Sequence, residues 1–143
     1  MEGSVAGIYL PIRKTRWSRP LMMWRVPAGF PSPAEDYVEG RIDLNRDLIK
    51  HPLTTFYIRV DGDSMIGAGI HPGSLLVVDR GVTAVEGDIV VARLDDELCV
   101  KRFSMDERGI RLLSENEIYP PIEVPEDVDF EIWGRVMYSI RRH

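Results

Sequence analysis

At 143 residues and 44% hydrophobic content the chain has the material for one compact domain, and its lone cysteine, Cys99, excludes an internal disulfide and points to the cytoplasm. The longest apolar runs, "SLLVVD" and "DIVVARL", are far short of the ~20 residues a membrane helix needs, and no export signal is expected from a start whose basic residues are scattered among prolines. The net charge of −5 is uneven: residues 1–27 carry five basic groups and one acid, against 13 basic and 22 acidic groups in the remainder, so the start and the body attract each other.

Residues 1–36 contain Pro11, Pro20, Pro27, Pro31 and Pro33, which deny helix and sheet interior and predict an extended arm. In "YVEGRIDLNRDLIKHP" the apolar positions Val38, Ile42, Leu44, Leu48 and Ile49 fit at most a short helix, stopped at Pro52. From Phe56 the pattern changes to short β-branched runs, "FYIRV", "SLLVVD", "DIVVARL", "ELCVKRF", "GIRLLS" and "FEIWGRVMYSI", separated by Gly, Pro, Asp and Asn clusters. These predict a mainly antiparallel β-domain. "ARLDDELCV" reads as a hairpin turning at Asp95 and Asp96, although the preferred turn glycine is missing.

Few chemistries fit the residues available. His51, His71 and His143 stand far apart and Cys99 has no cysteine partner, so no metal site is expected. "GDSMIGAGIHPG" has glycines but no Gly-Lys-Ser or Gly-Lys-Thr, so no nucleotide cofactor is expected either. The same stretch holds Ser64 in a Gly-flanked turn, where a serine most often only caps or solvates the turn. As a nucleophile it needs a base, and no histidine is singled out. Lys101 is the alternative: strand alternation in "ELCVKRF" puts it on one face with Cys99 and Phe103, and burial disfavours an ammonium ion. Ser64 and Lys101 could then act as a hydrolytic dyad.

Residues 25–140 resemble the UmuD branch of the LexA-like self-cleaving peptidases. "GDSM", "LLVVDR", "GDIVVARLDDELCVKRF", "LLSENEIYPPI" and "EIWGRVMYSI" repeat that family's landmarks in order, with its serine-to-lysine separation of 37 residues. The resemblance implies a LexA/UmuD-like peptidase β-fold with Ser64 as nucleophile and Lys101 as general base. "AGFPSPAEDYVE" resembles the family's cleavage region and maps the cut to Ala28-Gly29. A small residue before glycine in an extended segment lets the serine approach the carbonyl. Where the family often has threonine two residues before the lysine, this chain has Cys99.

The expected organisation is an arm over residues 1–28 removed by autocleavage, an extended segment over 29–52 with room for a short helix, and a Ser/Lys peptidase domain over 53–143. Only 28 residues precede Gly29, so the helix-turn-helix domain of LexA does not fit and no sequence-specific DNA binding is expected. The resemblance implies a homodimer in the SOS response to DNA damage, cut under stimulation by a RecA-ssDNA filament. The trimmed product would then join a UmuC-like Y-family DNA polymerase as the accessory subunit of an error-prone translesion enzyme. Two rivals remain: a binding module that no longer cuts and only docks a polymerase or RecA filament, and a peptidase acting on foreign chains. Against the second, a substrate segment in the same chain has the higher effective concentration.

Overall fold

The computed structural model describes residues 5–11, 18–22, 26–31, 33 and 38–143. In chain order the elements are β1 (Val5–Tyr9), β2 (Ser18–Met22), β3 (Val38–Asp43), α1 (Leu44–Leu48), β4 (Thr55–Val60) and β5 (Leu75–Asp79). They are followed by β6 (Ile89–Leu94), β7 (Glu97–Asp106), β8 (Gly109–Leu113), β9 (Ile122–Glu123) and β10 (Phe130–Ile140). The fold is mainly β, as expected, and all six strands anticipated from Phe56 onward form. Two compact units result, Met1–Pro11 with His51–His143, and Ile12–Lys50.

The larger unit is one antiparallel sheet in the order β1-β4-β5-β10-β6-β7-β8-β9. β10 is long enough to pair with two strands, its first half with β6 (Phe130↔Leu94) and its second with β5 (Ile140↔Leu75), and its register shifts once in each half. Such bulges bend a strand and increase its twist. Alternation then sends side chains to two cores. Val91 and its cross-strand partner Val100 join Ile58, Val60, Met65, Ile70, Leu76 and Val78 in one cluster. Val90, Ala92, Cys99, Phe103 and Leu112 form the other.

The hairpin between β6 and β7 turns at Asp95 and Asp96 as expected, with Leu94 opposite Glu97. Its missing glycine is made good by Asp95, which takes φ 52°. Aspartate tolerates that left-handed region better than most residues. Here its amide donates to the Asp129 carbonyl at 2.7 Å and its carboxylate accepts from the Asp129 amide at 3.3 Å.

In the smaller unit β2 and β3 pair with each other (Ser18↔Asp43, Leu21↔Gly40). The expected extended arm therefore includes two strands, β1 and β2. Pro20 lies within β2, which is tolerable because both members of a two-stranded sheet are edges. The anticipated helix shrinks to Leu44–Leu48, since Val38–Asp43, with a glycine and two β-branched residues, finds a pairing partner instead. Asp43 caps it, its carboxylate accepting from the Asn45 amide at 3.1 Å while the Asp47 carboxylate accepts from the Asp43 amide at 2.8 Å.

One glycine is fixed by packing. A Cβ at buried Gly134, on β10, would lie 2.6 Å from Val78 Cγ1 and 3.3 Å from the Asp79 carbonyl oxygen. Gly134→Ala is expected to destabilise the fold by about 1–3 kcal/mol, the usual cost of overpacking a core. Urea unfolding measures it, and an unchanged midpoint would contradict this packing.

Candidate active site

Ser64 follows β4 in a turn that leads into a single 3-10 turn over Ile66–Ala68. Gly62 (φ 87°) reverses the chain before it, and the side chains of Met65 and Ile70, 1% and 2% exposed, anchor the turn in the first core cluster. Met65 is thus a packing residue, and the serine beside it is carried inward. Ser64 is fully buried, and its Oγ makes no hydrogen bond among the described residues. A buried hydroxyl without a partner costs stability and is uncommon in native proteins.

Lys101 lies in the middle of β7 and is 1% exposed. Strand alternation points it the same way as buried Cys99 and Phe103, as anticipated, while Val100 enters the opposite core. Its Nζ donates to Ser114 Oγ at 2.8 Å and lies 5.7 Å from the centre of the Tyr119 ring, within reach of a cation-π contact.

The segment after β8 ties this lysine to the serine turn. Arg102 pairs with Leu113 in the ladder, so the chain leaves β8 beside Lys101, and Ser114 meets the amine. The next amide, Glu115, donates to the Ser64 carbonyl at 2.9 Å, and the Glu115 carbonyl accepts from the Gly67 amide at 2.7 Å. Asn116 Nδ2 donates to the Asp63 carbonyl at 3.1 Å, and the Tyr119 hydroxyl donates to the Asp63 carboxylate. The Glu115 carboxylate in turn accepts from Arg102 Nε. Two short bridges, Ser114-Glu115 and Tyr119-Asp63, therefore join Lys101 to the residues around Ser64.

Sequence reasoning singled out Ser64 and Lys101 but missed Asp63, Ser114, Glu115, Asn116 and Tyr119. "SENEIY" carries the signal: a run of polar side chains directly after a strand, ending in an aromatic that has a hydroxyl. The other expected site residues stand as follows. Ala28 and Gly29 belong to the smaller unit, in an exposed bend, and a Cβ at Gly29 would meet nothing within 4 Å among the described residues. Cys99 packs in the second core cluster, and burial pushes its thiol up to about 11.

His51 is engaged elsewhere. Its ring pairs with the Asp79 carboxylate, which also accepts from Thr54 Oγ1 at 2.7 Å and the Gly81 amide at 2.8 Å. Burial acts to raise the Asp79 carboxyl, but the bonds from Thr54, His51 and Gly81 outweigh it and hold it below its ordinary value. Asp79 pairs with Thr55, at the end of β4 opposite to the Ser64 turn.

The comparisons with known proteins agree with this architecture. The model of the Peptidase S24-like family matches residues 20–137, which run from within β2 to within β10. The chain belongs to this peptidase family. Protein SamA of Salmonella typhimurium is 44% identical over 132 residues, covering 92% of this chain and 89% of SamA. Protein ImpA of Escherichia coli is 50% identical over 125 residues, covering 87% of this chain and 84% of ImpA. The LexA repressor of Caldicellulosiruptor saccharolyticus is 43% identical over 121 residues, but those cover only 58% of that repressor. Within the family the chain lies in the UmuD-like branch.

Two outcomes follow from the geometry. A Cβ at Gly67 would lie 2.5 Å from the Glu115 carbonyl oxygen, so Gly67→Ala must part the serine turn from the Ser114-Glu115 segment. Hydrogen exchange at the Glu115 amide is expected to quicken about tenfold or more, as local opening becomes easier. An unchanged rate would show that the contact is slack. Cys99, a buried neutral thiol, is expected to resist alkylation near pH 8 in the folded chain. Rapid labelling would contradict its burial.

Proposed function

We propose that the chain is a self-cleaving serine peptidase of the SOS response, with Ser64 as nucleophile, Lys101 as general base and Ala28-Gly29 as the bond cut. The observation that carries this reading is the Ser64 hydroxyl, buried without a hydrogen-bond partner among the described residues, in a turn bridged to a buried lysine. A hydroxyl left unpaired at a structural cost is one held ready for another partner. Membership of a peptidase family supports the reaction class.

The reaction is an acyl transfer. Ser64 Oγ attacks the Ala28 carbonyl carbon as its proton passes to Lys101 Nζ, and backbone amides near Ser64 hold the oxyanion. The same proton then goes to the Gly29 nitrogen, which leaves as a new N-terminus. Water, giving a proton to Lys101, then attacks the ester carbonyl carbon; the bond to Ser64 Oγ breaks, Lys101 returns the proton to Oγ, and Ala28 leaves as the new carboxyl terminus. The base must begin neutral, and burial acts in that direction because it disfavours the ammonium form. A neutral amine donating to Ser114 Oγ retains the lone pair that accepts the serine proton.

Stimulation by a RecA-ssDNA filament, a homodimer, and union of the trimmed product with a UmuC-like Y-family polymerase for translesion synthesis complete the reading. The UmuD-like relatives support a role in SOS mutagenesis. Residues 1–28 are then the arm that is removed, and 29–143 the product.

Purified chain incubated with activated RecA filament is expected to yield one new fragment ending at Ala28 by mass spectrometry. Ser64→Ala and Lys101→Ala each reduce cutting by about a thousandfold or more while circular dichroism stays native, and Lys101→Met provides a better-packed second variant. Normal cutting by any of these removes the assignment. Gly29→Glu is expected to block cutting without disturbing the fold, since the space around that Cβ is open. A chain that stays intact under all these conditions supports the rival reading of a binding module.

A further inference from the structure

Strand β1 lies at one edge of the large sheet, antiparallel to β4, with Val5↔Val60, Ile8↔Ile58 and Tyr9↔Tyr57 in register. Every residue of β1 precedes Ala28. Taken with the proposed cut, on which this inference rests, the fold places a removable strand over an edge that is otherwise unpaired. We propose that β1 is a detachable cap, and that cutting exposes the β4 edge as a docking site for an extended, proline-free strand with alternating apolar residues from a partner protein.

The contacts of β1 fit a cap rather than a structural strand. Val5 is its one side chain packed against the first core cluster, while Ile8 and Tyr9 are 44% and 55% exposed. The ladder is interrupted between Val5 and Gly7, and a groove of about 490 Å³ separates the strand from the β6-β7 hairpin, lined by Val5, Ile8, Asp96 and Leu98 among others. Such a strand owes its place largely to its covalent connection, which supplies an effective concentration of the order of millimolar. Severing the chain removes that covalent advantage and leaves the fragment held by two five-residue strands alone, β1 on β4 and β2 on β3.

The edge left behind suits strand addition. β4 is paired with β5 from Thr55 to Arg59, and the Val60 amide donates to the Ser74 carbonyl, so it stays formed when β1 leaves. Ile58 and Val60 keep its inner face in the core. What opens is a row of backbone donors and acceptors, with an apolar recess where Val5 had been. An unpaired edge of this kind recruits another strand, main-chain bonds giving affinity and side-chain recesses giving selectivity. The occupant is specified by what sits there in the uncut chain: an extended segment with a small or β-branched residue at the place of Val5.

The test makes the cut independently of Ser64. In the Ser64→Ala full chain, residues 26–31 are replaced by the recognition site of an added protease, so failure of self-cleavage leaves this experiment intact. After digestion the amides of Tyr57–Val60 that face β1 are expected to exchange at least about tenfold faster, those of β6 and β7 to stay protected, and the N-terminal fragment to separate on gel filtration. A synthetic peptide of residues 1–11 should restore protection, whereas the same peptide with Gly7→Pro and Ile8→Pro should not. The double change removes a ladder donor whichever of the two amides faces β4. Retention of the fragment with unchanged exchange overturns the proposal, as does loss of protection in β6 and β7, which makes β1 structural. Self-association of the cut chain through β4 that the peptide cannot displace overturns it as well.

Discussion

A lysine amine enclosed within a β-sheet is the constraint around which the larger unit is arranged. Lys101 is 1% exposed, and an amine removed from water must find partners in the protein or lose stability. Ser114 and Tyr119 answer that need, and both come from the segment after β8. The same segment bonds to Ser64, Gly67 and Asp63. Solvating the lysine and shaping the serine turn are thus one problem with one structural solution. At its margin Arg102 holds the Glu115 carboxylate.

Positions that hold the turn show how little slack there is. Met65 and Ile70 are fixed in a core that also contains Val91 and Val100, so the serine turn and β7 share packing as well as hydrogen bonds. The Gly67 amide reaches the Glu115 carbonyl at 2.7 Å, a distance at which no side chain could intervene. Against this closely bonded surrounding, the unpaired Ser64 Oγ is an exception with a cost. Among the described residues Ser64 Oγ is the one buried side-chain nitrogen or oxygen without a hydrogen-bond partner, which makes it the candidate position for chemistry.

Much of the fold was legible because the β-domain states its period in the residues. Runs such as "SLLVVD" and "DIVVARL" are β-branched, short and bounded by turn formers, and β5 and β6 form where they lie. The arm was harder to read. Prolines correctly argued against helix and sheet interior, yet β1 and β2 are edges, where an isolated strand depends on a distant partner that local pattern does not reveal. Likewise Val38–Asp43 carries apolar spacing that suits a short helix, and its pairing with β2 overrode that preference. Ser64 and Lys101 were singled out as candidates by motif and spacing. Tyr119 and Asn116 were not, because a turn of polar residues after a strand looks like a solvated loop until its partners are seen.

The central claim is that Lys101, and no histidine, takes the proton of Ser64. His51 is paired with Asp79 at the end of β4 opposite to the Ser64 turn. The most direct test is the first-order rate of self-cutting without filament, measured from about pH 6 to about pH 10.5 with folding checked at each point. A base that is mostly protonated at neutrality gives a rate rising about tenfold per pH unit until its own pKa is reached. The account predicts that rise, followed by a plateau on the alkaline side. A flat profile, or a midpoint near the ordinary histidine value of about 6.5 that persists in Lys101→Ala, would contradict it.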